Sequence, residues 1–220
     1  MPREYFDEVA HEWDHLRESF FTDAVREKAL SVAMVRSGRR AADIGAGTGF
    51  ITEGLIDKGL RVVAIDQSAA MLQVMKRKVH DTAVDCCVAG AEDLPVCDGA
   101  VDYVFANMCL HHVERPRTAI REMHRILRDD GKLVITDLDT HDFVFLKEES
   151  HDRWLGFKRD DITEWFADAG FKNVEVQCVG EQCCAKSVCT DDYASISIFV
   201  AFGEKRLGWS AIVLSVGRTA

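Results

Sequence analysis

The chain has 220 residues, 47% of them hydrophobic, with a net charge of −10; it can bury one substantial core, and no Pro/Gly/Ser-rich linker divides it. The acidic excess, with no Lys/Arg stripe to offset it, repels a phosphate backbone, so no nucleic-acid partner is expected. Met1 to Trp13 lacks the apolar core of a signal peptide and no run reaches the ~18 apolar residues of a membrane span, so no membrane partner is expected, and the eight cysteines read as free thiols in a reducing, cytoplasmic setting.

In chain order, Tyr5, Val9 and Trp13 share one helical face, with Phe6 and Ala10 beside it, and a second helix is predicted at about 22–36. A buried strand at 41–44 then enters the turn Asp43-Ile44-Gly45-Ala46-Gly47-Thr48-Gly49, with a helix starting near Phe50. Glycines there tolerate positive φ and let backbone N–H groups approach a ligand at the positive end of the helix dipole. Asp66 closes a second strand at 62–66 and stands 21 residues after Gly45, where an acid can bind ribose hydroxyls. Further strands are predicted at 84–88, 101–106 and 132–137, alternating with helical patterns, which argues for a parallel sheet covered on both faces. Ser68 caps a helix carrying Met71, Leu72, Met75 and Val79, and Pro116 opens one carrying Ile120, Met123, His124 and Leu127, stopped by Gly131. Asp161 and Glu164 are spaced as a capping box for a helix stopped by Gly170. Strands at 174–179 and 195–202 have no helix between them and should pair antiparallel.

A dinucleotide fingerprint would place glycine at position 50, where Phe50 stands. The segment instead reads D-x-G-x-G-x-G. With Ala91-Glu92-Asp93-Leu94-Pro95, Asn107-Met108-Cys109-Leu110-His111-His112-Val113 and Leu127-Arg128-Asp129-Asp130-Gly131-Lys132-Leu133 in matching order, the chain resembles the class I S-adenosylmethionine-dependent methyltransferases, in particular the type 11, ubiquinone-biosynthesis-like group. The resemblance covers roughly 5 to 203. It implies an α/β fold, a Rossmann-like doubly wound seven-stranded sheet with an antiparallel last strand, under an N-terminal helical lid at 1–36. The cofactor domain is 37–203 and a C-terminal extension occupies 204–220. The implied cofactor is S-adenosylmethionine. By the family pattern Asp43 lies near the methionine ammonium, Gly45, Gly47 and Gly49 supply close backbone, Asp66 takes the ribose with Gln67 beside it, and Asn107 meets the methionine end. Many relatives carry Asp-Ala or Asn-Ala after strand three; Gly90-Ala91 stands here, so the adenine contact falls to Ala91 and to Glu92 or Asp93.

The implied activity is in-line methyl transfer to an O, N, S or C atom of a small-molecule acceptor, which needs positioning, exclusion of water and, for some acceptors, a base. His112, His141 and His151 are the candidate bases beyond the strand ends, His111 adjoining the first; each also reads as a helix cap or packing residue. Asp137-Leu138-Asp139-x-His141 followed by His151-x-x-Trp154-Leu155-Gly156-Phe157 resembles methyltransferases that occur alone or joined to ArsR-type regulators. The His and Asp spacings match neither H-E-x-x-H nor paired C-x-x-C, so no metal ligand set is expected. Cys178, Cys183, Cys184 and Cys189, in or beside the connection of the last two strands, offer a second reading in which Cys183 and Cys184 hold a soft acceptor such as arsenite, or the acceptor is itself a thiol. A cofactor-binding protein without turnover is a third reading. A nicotinamide oxidoreductase is a fourth, disfavoured by Phe50 and the terminal hairpin. Leu207, Trp209 and Ala211-Ile212-Val213-Leu214 are apolar enough to pack on the domain or to join a homodimer, and the sequence does not choose between these.

Overall fold

The computed structural model describes residues 2–79 and 84–206. Seven strands form one sheet: β1 (Arg40–Ile44), β2 (Arg61–Asp66), β3 (Val84–Val88), β4 (Val101–Asn107), β5 (Leu127–Leu138), β6 (Phe171–Lys186) and β7 (Tyr193–Lys205), in the order β3-β2-β1-β4-β5-β7-β6. The first five run parallel, and β7 pairs antiparallel with both β5 and β6. The strand order reverses direction between β1 and β4, so the carboxyl ends of these two strands flank a crevice of the kind in which open α/β sheets bind ligands.

The two faces follow from strand alternation. Ala42, Ile44, Val104, Ala106, Leu133 and Ile135 pack beneath α6 (Pro116–Ile126) and α8 (Arg159–Asp168). Ala41, Val62, Tyr103, Phe105 and Val134 pack beneath α3 (Ala24–Ala33) and α4 (Phe50–Asp57). On that second face α5 (Ala69–Lys78) lays Leu72 and Met75 on Ala64. Because β4 is covered on both faces, it is buried from Val101 to Ala106 rather than at alternate residues, with Asp102 paired to Arg39. Local signals set the helix starts: the Ser68 hydroxyl accepts the Met71 N–H at 3.0 Å, and Pro116 occupies the first turn of α6. The C-terminus of α6 is capped from afar by Lys205 Nζ, which donates to the carbonyls of His124, Arg125 and Leu127.

Four expectations are revised. α6 ends at Ile126 and β5 begins at Leu127, so Gly131 does not stop a helix; a Cβ there would meet the Arg128 and Asp102 carbonyl oxygens at 2.8 and 2.9 Å. β6 and β7 run well beyond 174–179 and 195–202, because polar residues on the outer, edge strand hide its alternation. α8 starts at Arg159, which puts Asp161 and Glu164 inside it; Glu164 binds Arg117 on α6 instead of capping. The N-terminal helices are three, α1 (Pro2–Val9), α2 (Trp13–Phe20) and α3, and α3 belongs to the core through Ala29, Leu30 and Ala33. Of the extension expected at 204–220, Glu204 and Lys205 belong to β7, while 207–220 lie outside the described residues, and with them the homodimer expectation. Among the described residues no helix is long and apolar enough to cross a membrane.

Candidate active site

The glycine turn is pinned across β2: Gly45 and Ala46 N–H both donate to the Ile65 carbonyl, at 2.8 and 3.1 Å. Gly45 has φ +68°, and a Cβ on it would come within 2.5 Å of Cys109 Cβ, so close packing of the β4 loop excludes any side chain. Gly49, at φ +101°, caps α4 and leaves no room beside Met75, 2.7 Å from where its Cβ would lie. At Gly47 the nearest atom to such a Cβ is Trp13 Nε1, 3.7 Å away, so this glycine faces the space beneath the lid. Asp66 holds the loop shut, one carboxylate oxygen accepting the Gly47 N–H and the other the Ser68 N–H, both at 2.8 Å. Burial raises the pKa of its carboxyl against these bonds. Asp43 is fully buried, accepts the Thr52 hydroxyl at 2.7 Å and is lifted by burial to about 7. It does not line the cavity, and neither does Gly49; both shape the loop from behind.

That cavity, of about 340 Å³, is bounded by Gly45, Gly47, Asp66, Gln67, Ala91, Glu92 and Asn107, together with Met71, Met108, Cys109 and His112. Glu92 accepts from the Arg115 backbone N–H and Nε, and Asn107 Oδ1 accepts from the Thr136 hydroxyl at 2.7 Å. The lid covers it with Phe6, Trp13 and Arg17. Two short hydrogen bonds latch the lid to the cofactor loops: Ser68 Oγ donates to Asp7 and Thr48 Oγ1 to Asp14, each at 2.6 Å. The Phe6 ring sits edge-on to both Trp13 and His112, with centroids 5.3 and 5.1 Å away. Arg17 and Cys109 line the cavity without having been marked out by the sequence; Cys109 was visible only as part of the loop after β4.

The histidines divide. After β4 a 3-10 turn, Leu110–His112, is anchored by Asp137 at the end of β5, which accepts the Leu110 N–H at 2.9 Å and faces His111 Nδ1 at 2.7 Å. Although burial opposes it, the Asp137 carboxylate holds the His111 ring up at about 9. Burial and the charge on His111 push His112 well below the usual histidine range, leaving it neutral. The chain returns to this turn at 152–154: Arg153 and Trp154 N–H donate to the His111 carbonyl at 3.0 and 3.1 Å, and Trp154 Nε1 to the Val113 carbonyl at 2.8 Å. This clamp places Asp152 Oδ1 at 3.8 Å from both His111 Nε2 and His112 Nδ1. The three ligand-type atoms lie within 4.8 Å of one another, a grouping that no sequence spacing announced and that runs against the expectation of no metal ligand set. Of the three candidate bases, His112 lines the cavity. His141 sits behind, its Nδ1 accepting the Phe143 N–H and its buried Nε2 unpartnered, with a pKa lowered by burial. His151, at φ +58°, stacks edge-on to Tyr5 at 5.2 Å, away from the cavity wall.

The thiol pair does not form a soft site. Cys183 and Cys184 are consecutive in β6 and point to opposite faces. Cys183 packs with Phe21, Val25, Ile196 and Ile198, and burial pushes its thiol up to about 12, so it stays protonated. Cys184 faces Ser195, with sulfur and oxygen 3.9 Å apart. Two cysteines facing apart cannot chelate one arsenite, so the reading in which Cys183 and Cys184 hold arsenite together fails on geometry.

Residues 42–135 match the family model described as "Methyltransferase domain". The chain is 36% identical over 201 residues to a demethylmenaquinone methyltransferase of Renibacterium salmoninarum, covering 77% of this chain and 83% of that protein. It is 30% identical to the chloroplastic 2-methyl-6-phytyl-1,4-hydroquinone methyltransferase 1 of Oryza sativa subsp. japonica, covering 76% of this chain but spanning about half, 52%, of that relative. Among solved structures, the putative methyltransferase in complex with the Haloferax volcanii Trm112 methyltransferase activator superposes with a TM-score of 0.75 at 21% identity, covering 92% and 98% of the two chains. The chain belongs to the class I S-adenosylmethionine-dependent methyltransferases. The residues present suit that cofactor: the open backbone at Gly47, a half-buried carboxylate at Asp66 with lone pairs beyond its two backbone bonds, and an adjoining cavity.

Proposed function

We propose that the protein methylates a small aromatic acceptor carrying an ionisable hydroxyl, of the phenol or hydroquinone class. The observation that carries this reading is the composition of one cavity wall: the glycine loop and Asp66 share it with His112, whose Nδ1 is buried without a hydrogen-bond partner. The cofactor supplies an electrophilic sulfonium methyl group, so the protein's part is to align the acceptor, exclude water and take up or weaken the hold on its proton. Alignment alone can contribute ~7–11 kcal/mol. Phe6, Trp13, Phe21 and Phe50 offer aromatic surface to a flat acceptor, and the latched lid keeps water out. Of the candidate bases, His112 is the one on that wall, and burial keeps its ring neutral and able to take up a proton. The names of the two curated relatives carry a hydroquinone and a demethylmenaquinone, which supports a quinone-type aromatic class here.

The test is a product screen by mass spectrometry with S-adenosylmethionine and matched phenols, hydroquinones, amines and thiols. Turnover should favour the phenols and hydroquinones, and His112→Ala should lower it ~10²–10⁴-fold. Turnover confined to amines or thiols would overturn the acceptor class.

A further inference from the structure

We infer that His111, His112 and Asp152 form a binding site for one divalent first-row transition-metal ion of the zinc type, on the edge of the cavity. Three observations carry the inference. The first is spacing. Asp152 Oδ1 stands 3.8 Å from both His111 Nε2 and His112 Nδ1, too long for hydrogen bonds, and all three atoms lie within 4.8 Å of one another. Ligands at ~2.0–2.2 Å from one tetrahedral ion stand ~3.3–3.6 Å apart, so closure needs the two 3.8 Å separations to shorten by a few tenths of an ångström and the remaining one by up to about an ångström.

The second is the orientation of each ring. Ligating imidazoles usually donate their other N–H to a carboxylate or a backbone carbonyl, which fixes the tautomer. His111 Nδ1 is held by Asp137 at 2.7 Å, turning Nε2 toward Asp152, and the ring of His112 bonds the backbone of His151 while its Nδ1 is left buried and unpartnered. An unsatisfied buried ring nitrogen is costly, and a metal bond removes the cost.

The third is charge. Asp137 and Asp152 are both buried beside this turn, 0% and 6% exposed. A divalent ion bound by two neutral imidazoles and Asp152 compensates both carboxylates. Two nitrogens and one oxygen make a borderline donor set, suited to Zn²⁺, Co²⁺ or Fe²⁺ rather than to Mg²⁺ or Ca²⁺. Such a three-ligand set keeps a coordination position open, and of the three ligands His112 is the one that borders the cavity. Resting on the acceptor class proposed above, an ion on His112 Nδ1 would take the place of that ring as the base: its charge beside the cavity would lower the pKa of the acceptor hydroxyl, the proton passing to solvent and the oxyanion remaining as the electron-rich partner of the methyl group.

The experiment uses the full chain stripped with a chelator and then titrated with Zn²⁺ against a chromophoric competitor, and with Co²⁺ followed by visible absorption. One equivalent should bind, and Asp152→Asn and His111→Gln should each weaken Zn²⁺ binding at least ~10²-fold, with S-adenosylhomocysteine affinity kept as the check that each variant is folded. Co²⁺ bands should shift when a phenol is added. Zn²⁺ binding that is weak, or equal in wild type and both variants, would overturn the site. Tight, variant-sensitive binding with no activity on phenols or hydroquinones would leave the site standing and reject the acceptor class instead.

Discussion

Gly45→Ala is the sharpest test of how the cofactor loop is built. Two separate costs attach to it. The backbone holds φ +68°, which costs an L-residue ~1–2 kcal/mol. The new methyl would lie 2.5 Å from Cys109 Cβ and 2.9 Å from its Sγ, an overpacking of the kind that costs ~1–3 kcal/mol. Together they predict ~2–5 kcal/mol of destabilisation, or a fall of ~5–15 °C in Tm. Gly47→Ala carries the φ cost with open space as far as Trp13 Nε1 at 3.7 Å, so it should lose only ~1–2 kcal/mol while weakening cofactor binding more. Urea unfolding and calorimetric titration with S-adenosylhomocysteine measure both quantities. Adding Cys109→Gly to Gly45→Ala should recover the overlap part, a favourable coupling of ~1–3 kcal/mol. Equal stability of the two alanine variants, or no coupling in the double variant, would refute the packing account.

Asp43 predicts a pH signature. Its carboxyl sits at about 7 when folded against an ordinary 3.8, so the folded state binds the extra proton and stability falls as pH rises through that window. Asp43→Asn should therefore gain ~2–3 kcal/mol on wild type between about pH 5 and about pH 8, and parallel stability profiles would contradict it. Amides at 5–13 should exchange more slowly when S-adenosylhomocysteine is added, since Phe6 and Trp13 roof the cavity; identical exchange would reduce α1 and α2 to edge cover. Cys183→Ser buries a hydroxyl among aliphatic neighbours and should cost ~1–3 kcal/mol, whereas Cys184→Ser should be near neutral, and equal losses would mean the two faces are misassigned.

What the sequence disclosed and what it hid divide along a physical line. Local chemistry was legible: the Ser68 cap, Pro116 at the start of α6 and the glycine turn all announce themselves within a few residues. The cofactor side of the site follows from that turn and Asp66. The acceptor side does not, because Asp152 reaches His111 and His112 only through the clamp of Arg153 and Trp154 on the 110–113 turn, a tertiary contact across some forty positions. For the same reason the His111–Asp137 pair was hidden, although each residue stands in a segment with family character. Cys183 and Cys184 looked like a pair because they adjoin in sequence; strand geometry separates them.

A crystal structure with S-adenosylhomocysteine tests the central claim most directly. The ribose diol should lie on the Asp66 carboxylate and the adenine beside Ala91 and Glu92, with the lid closed by Phe6 and Trp13 and the sulfur directed toward His112. A ribose bound away from Asp66, or a sulfur facing away from His112, would contradict it.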